Sequence, residues 1–293
     1  KTYHLKPSQM AYLIHTLTLA AIYIMVALSY ALPVGFVGML NLGHIGLLAV
    51  GAYTAAILTT SGISFSLALI AASLVTGIIG FFLALTARRI KGDYYALMTL
   101  GFTFVMNAVL LNWIKVTQGP FGITGISRPT GFTDPSAFFV LTLVFLGVIA
   151  WFVYRVISSP FGKALEAVRD DELVAESLGK PTGKFRVVSL LVSAVIVGIA
   201  GALLAHFIQF INPQVFWLDN VVWILAALVI GGLASFRGAI FGMLLLLAFQ
   251  EGIRFFPVSP AFVGSIRLAV FAILLLAVVL YRPKGIFGRA QLE

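Results

Sequence analysis

The sequence predicts an all-α, polytopic bundle of membrane-spanning helices, and three observations lead there. Apolar residues make up 61% of the 293 and charged residues 10%, against roughly 25% charged in a soluble domain, so too little polar surface remains to cover a water-soluble globule. From position 7 to position 87 there is no Lys, Arg, Asp or Glu, a run of 81 residues. One crossing takes about 20 apolar residues, so that run holds three or four passes. The apolar runs are continuous rather than alternating, which selects helices over barrel strands.

Taken in order, the spans fall near 10–32, 43–60, 65–87, 94–114, 137–154, 187–211, 220–236, 238–256 and 261–281, within an expected eight to ten, in one transmembrane domain over 1–293. The first is too long for a removed signal peptide and lacks a small-residue cleavage pattern. The 220–236 run is short, the 238–256 run carries Glu251 and Arg254, and the last carries Arg267. Between the first two spans, "LPVGFVGMLNLGHIGLLAVGAY" (32–53) places Pro33 and five glycines around Asn41 and His44. Two readings fit: small residues that let helices pack closely, or a broken helix lining a transport path. Broken backbone at membrane depth is tolerated only where protein or a water-filled cavity covers the freed groups.

Basic residues orient the bundle, because Lys and Arg accumulate on the cytoplasmic side. Arg88, Arg89, Lys91, Arg155, Lys163, Arg169, Lys180, Lys184, Arg186, Arg237, Arg282, Lys284 and Arg289 fall on one side, and Lys115, Arg128, Arg254 and Arg267 at or near the other. That makes the larger group and the C-terminus cytoplasmic. Three passes before Arg88 place the N-terminus outside and four place it inside. The formal charge of +9 follows this membrane pattern rather than a nucleic-acid footprint.

Half of the ten acidic residues, Glu166, Asp170, Asp171, Glu172 and Glu176, crowd into "FGKALEAVRDDELVAESLGK" at 161–180. Asp170 suits the N-cap of a helix over 171–178, with Asp171 and Glu172 in the first turn; a turn or two of helix over 163–168 precedes it. Gly179 suits its C-terminal turn and Pro181 stops it. Glu172 and Glu176 share a face at i,i+4, which costs a few tenths of a kcal/mol in an isolated helix. Docking of that acidic face into a basic groove of another protein offsets the cost; a plain solvated loop is the competing reading.

Neutral polar groups inside spans, Asn41, His44, Asn107, His206, Gln209 and Asn212, are candidates for a translocation path, although such groups also serve as packing contacts between helices. His206 and Gln209 lie at i,i+3 on one face, with Asn212 just beyond and Pro213 ending the helix. Glu251 and Arg254 form an i,i+3 pair near the outer boundary. "TQGPFGITGISRPTGFTDP" (117–135) reads as a shaped outer loop. The chain has no cysteine, which excludes disulfides and thiolate sites. It has no phosphate-binding G-x-x-x-x-G-K-[ST] loop, no H-E-x-x-H, and no acid pair fitted to intramembrane catalysis, so it is read as a transport subunit and not an enzyme.

The acidic segment with its flank, "SPFGKALEAVRDDELVAESLGK" (159–180), resembles the cytoplasmic coupling segment of permeases from ABC importers of the branched-chain amino acid class. "LNLGHIGLLAVGAYTAA" (40–56), "GDYYALMTLGF" (92–102), "AGALLAHFIQFINPQVF" (200–216), "LVIGGLASFRGAIFGMLLL" (228–246) and "YRPKGIFG" (281–288) stand in the order that family has them, closest to the second of its two permeases. The resemblance implies a bacterial inner-membrane importer with a sister permease, two ATP-binding subunits that use ATP and Mg²⁺, and a periplasmic or lipid-anchored binding protein. No cofactor or metal is bound by this chain itself. It also implies that Gly162, Glu166, Asp170, Asp171, Glu172, Ala175, Glu176 and Gly179 couple to the ATPase. The alternatives are a urea or short-chain amide importer permease and an ion-coupled secondary transporter.

Overall fold

The computed structural model describes residues 7–90, 92–253, 272–273, 275–276, 280–282 and 284–288. Its helices are α1 (Pro7–Ala31), α2 (His44–Thr60), α3 (Phe65–Thr86), α4 (Asp93–Asn112), a single turn α5 (Ile114–Thr117), α6 (Pro135–Ser158), α7 (Pro160–Asp170), α8 (Glu172–Ser177), α9 (Thr182–Ile208), α10 (Leu218–Gly231) and α11 (Phe236–Ile253). Two-residue strands β1 (Ile123–Thr124) and β2 (Phe210–Ile211) pair antiparallel. Five helices, α1 with its extension, α3, α4, α6 and α9, are long and apolar enough to cross a membrane, and α2 and α10 are shorter apolar helices. Most of the expected 261–281 span, with Arg267, lies outside the described residues, as do Lys91, Arg254 and Arg289.

Helices α1, α2 and α9 form the buried centre, whereas α3, α4 and α6 present rows of large apolar side chains outward, such as Leu67, Phe82, Val105 and Trp151. Apolar residues on both faces of these helices suit a lipid surround. The centre packs tightly because its crossings are built of glycine. A Cβ on Gly51 would meet the Gly198 backbone at 2.6 Å, and one on Gly201 would meet the Leu48 carbonyl oxygen at 2.4 Å. Close packing therefore accounts for the glycines inside α2.

The turn after α3 carries Arg88, which lies against Gly183 at the start of α9. Arg155, α7, α8 and the α10–α11 turn belong to the same end, called here the basic end. α1 runs from the opposite end toward it, α2 returns, and α3 comes back. Two candidate spans, α1 and α3, and the shorter apolar helix α2 between them thus precede Arg88.

Candidate functional site

The glycine-rich interruption at the end of α1 is built around Pro33. Proline has no amide hydrogen, so the helical bond to the carbonyl four residues back, Ser29, is lost. Ser193 of α9 donates its hydroxyl to that carbonyl at 2.7 Å. The chain then widens into a π turn, Leu32–Phe36, a form that recurs at functional sites. Gly38, at φ +75, reverses the chain, and the Met39 amide reaches back to the Pro33 carbonyl at 2.8 Å. This closure is Schellman-like, one residue wider because of the π turn. It diverts the amide that a regular helix would give to the Gly35 carbonyl, and the Arg169 Nη1 donates to that oxygen instead, at 3.0 Å.

Beyond the reversal, α4 supplies the partners. The Leu42 amide donates to Thr99 Oγ1 at 3.0 Å, and Thr103 Oγ1 donates to the Leu42 carbonyl at 2.8 Å. Asn41 Oδ1 accepts from the Gly43 amide at 3.0 Å, a local Asx turn just ahead of α2. His44 is fully buried, stacked on Tyr30 with ring centroids 4.6 Å apart. Its Nε2 lies 2.9 Å from Ser29 Oγ, whose hydrogen goes to the Val26 carbonyl. Nε2 is therefore the donor, and Nδ1 is a buried acceptor without a partner among the described residues.

The acidic segment lies against this interruption. Helix α7 begins at the Ser159 N-cap and runs to Asp170, one turn longer than the sequence suggests. The Asp171 amide still bonds the Ala167 carbonyl at 3.1 Å. That extension moves the cap of α8 from the expected Asp170 to Asp171, whose Oδ1 accepts from the Val174 amide at 3.0 Å. Asp170 instead accepts from Nε and Nη2 of Arg169, at 2.9 and 2.7 Å. Gly162 is packed against the Ile157 carbonyl, Ala175 is buried under α8, and Gly179 follows α8 at φ +77. Glu166 is half-buried on α7.

The expected outward acidic face is only partly there. Thr182 Oγ1 donates to Glu176 at 2.7 Å and lies 3.2 Å from Glu172, which pairs with Arg186 at 2.6 Å. The two like charges are thus drawn onto the start of α9. Beside the exposed Glu176 and Ser177, α8 and its C-terminal turn also present outward Leu173, Val174 and Leu178, 76%, 53% and 72% exposed. A crevice of about 370 Å³ separates α7 and α8 from the interruption, lined by Gly38, Met39, Arg169, Asp171, Glu172 and Arg186 among others.

The remaining candidates lie at the opposite end. Asn107 Nδ2 donates to the Phe216 carbonyl at 2.9 Å, leaving Oδ1 unpartnered. His206 Nδ1 donates to the Ala202 carbonyl at 2.7 Å, its Nε2 is unpartnered, and its ring stands edge-on to Phe65. Gln209 does not share a helical face with His206, because α9 stops at Ile208 and Gln209 caps it in the left-handed region at φ 61. Pairing of β2 with β1 ends the helix there, ahead of Pro213. Asn212 caps the next turn, accepting from the Val215 amide at 3.2 Å. The six residues therefore form two separate groups, not one site. Glu251 accepts from the Tyr12 hydroxyl. Asp134 caps α6 through Ser136, and the Ser136 hydroxyl, then its amide, hold the carboxyl below its usual range. Among the described residues no three His, Asp or Glu side chains converge on a metal position.

Sequence reasoning counted Arg169 only as a charge and missed Ser193, Thr99 and Thr103. The position of Pro33 four residues after Ser29 is the signal that a donor from elsewhere was needed.

The family model for the permease component of branched-chain amino acid transport systems matches residues 12–279. The high-affinity branched-chain amino acid transport system permease protein LivM of Escherichia coli is 32% identical, over 94% of this chain and 70% of that protein. LivH of Salmonella typhimurium, named as a permease of the same kind of system, is 27% identical over 94% of both chains. Among solved structures, PsaBC from Streptococcus pneumoniae in complex with Fab aligns with a TM-score of 0.50 at 18% identity, covering 92% of this chain and 91% of that one, a likeness of fold.

Proposed function

We propose that this chain, which belongs to the family of permease components of branched-chain amino acid transport systems, is one membrane-spanning half of an ATP-driven importer for branched-chain or other hydrophobic amino acids. The basic end is cytoplasmic, on the side where Lys and Arg are retained, so the start of α1 is outside. A sister permease completes the path, two ATP-binding subunits dock under α7 and α8, and a periplasmic or lipid-anchored binding protein delivers the amino acid at the other end. The ATP and Mg²⁺ are used in the partner subunits.

One observation carries the reading. At the charged, watery end of the bundle, α8 and its turn expose Leu173, Val174 and Leu178, an apolar tip that water would not select and a partner would cover. The reverse side of the same segment holds the interruption of α1. A push on the tip therefore arrives where the central helix is already broken, and broken helices in a bundle are where alternating access turns.

A gentle detergent pull-down from the native membrane tests this. Two ATP-binding subunits and a sister permease should copurify with the native chain. Leu173→Glu with Val174→Glu should lose the ATP-binding subunits and keep the sister permease, while Asp170→Lys, which leaves the apolar tip intact, should lose less. A native chain that comes down alone and takes up substrate in vesicles without ATP would overturn the importer in favour of an ion-driven carrier.

A further inference from the structure

We infer that Arg169 is the positioning residue through which movement of α7 and α8 enters the interruption of α1; this rests on the importer reading above. Arg169 is the side chain of α7 and α8 that hydrogen-bonds the interrupted backbone among the described residues. Three features fit it to transmit rather than merely to pack. First, its target, the Gly35 carbonyl, is the acceptor freed by the Pro33–Met39 closure, so the bond goes to the one point where the helix has already yielded. Second, the guanidinium is held from behind by Asp170 on its own helix, at 2.7 Å, and its side chain is only 14% exposed. Held at both ends, it acts as a strut across the crevice, not as a swinging surface charge. Third, the apolar packing of the interruption is supplied separately, by Phe36, Val37, Leu165, Leu190 and Ala234 in one cluster.

The strut also leads further. A Cβ on Gly35 would sit 2.8 Å from the Ala234 amide, so the interruption touches the α10–α11 turn directly. That turn is joined in its own right to the chain's last described stretch, where the Ile286 and Phe287 amides donate to the Ile230 and Gly231 carbonyls at 3.0 and 2.8 Å. A displacement of the Gly35 carbonyl therefore cannot stay local. It presses on the junction of α10 with α11. Gly38 completes the fit: at φ +75 its missing side chain leaves room for Arg169, since a Cβ there would lie 2.9 Å from Arg169 Cγ.

The test uses the whole complex, this chain with its sister permease and ATP-binding subunits, reconstituted in proteoliposomes with binding protein and radiolabelled leucine. ATP hydrolysed and leucine taken up are measured together. Arg169→Ala should assemble normally and hydrolyse ATP at close to the native rate, but carry about tenfold less leucine per ATP, the weight of one charge-assisted hydrogen bond. Arg169→Lys should recover part of the ratio, because an ammonium reaches one carbonyl but cannot be held by Asp170 at the same time. Gly38→Ala, with Arg169 intact, should lower the ratio in the same way by displacing the strut. Arg89→Ala, exposed on the turn after α3 and outside α7 and α8, should leave it unchanged. A native leucine-to-ATP ratio in Arg169→Ala and Gly38→Ala overturns the inference while the importer stands. Leucine uptake by the native complex without ATP overturns the importer reading itself.

Discussion

Residues 32–43 at the basic end and residues 209–216 at the opposite end both interrupt helical backbone, and they satisfy the freed groups with different kinds of partner. At the basic end the donors and acceptors are side chains from three other elements: Ser193 on α9, Thr99 and Thr103 on α4, Arg169 on α7. At the opposite end the chain closes largely on backbone and on itself, through β1–β2 pairing, the left-handed Gln209 cap and the Asn212 cap, with Asn107 the one remote side chain among the described residues. The hydroxyls on α4 and α9 can follow a carbonyl that shifts and the Arg169 guanidinium moves with α7, whereas a strand pair between two short loops loses its bonds when either moves. The contrast separates a break bridged by side chains of other elements from one closed largely on its own backbone.

The largest effect should come from the rigid end. Gly122 sits at φ +69, and a Cβ there would lie 2.2 Å from the Ile211 carbonyl oxygen, a backbone atom in the strand pair with no way to rotate aside. Gly122→Ala should cost about 3 kcal/mol, from left-handed backbone and overpacking together, read as a fall in unfolding midpoint in detergent. The molecules that survive should show native leucine uptake per ATP. If that ratio collapses while stability holds, the opposite end is not the static one.

At the basic end, Ser193→Ala removes the donor to the Ser29 carbonyl and should cost about 1–2 kcal/mol. The sharper measurement is the pair. Pro33→Ala returns an amide hydrogen to the helix, so Ser193→Ala should cost much less in that background, and the cycle isolates the bond. Equal costs in both backgrounds would mean that Ser193 only fills space.

These comparisons also show what the sequence could and could not tell. Span positions were readable because long apolar runs permit little else, and the stretch of the break was marked by Pro33 and its glycines, although close helix packing fitted it equally. The partner of the break was not, since Arg169 lies 134 positions away and nothing local marks it. The cap of α8 was misplaced by one residue because Asp170 and Asp171 are equally good caps; the choice fell to α7, which continued to its last bond from Asp171 to Ala167. The inward turn of Glu172 and Glu176 needed Thr182 and Arg186 in position, which is tertiary information. Gln209 looked helical because the strand that stops α9 comes from residues 123–124.

Asn212→Ala should cost about 1 kcal/mol, the usual weight of a lost cap, with thermal unfolding as the readout. Transport per ATP should be unchanged. Loss of uptake without loss of stability would return Asn212 to the translocation path.

Gln209→Gly gives the smallest effect and the opposite sign. Glutamine at φ 61 carries a left-handed cost of about 1–2 kcal/mol, and glycine removes it at an entropic cost of about 0.4–1 kcal/mol in the unfolded chain. The net is a gain of roughly 0.5–1 kcal/mol, a rise in midpoint. The substitution also deletes every polar atom of the side chain. A stabilised protein that still carries leucine at the native ratio identifies Gln209 as a helix cap and removes it from the path. A stabilised protein that no longer transports shows that the strained backbone is kept for the amide it presents, and that the opposite end, for all its closed backbone, meets the substrate.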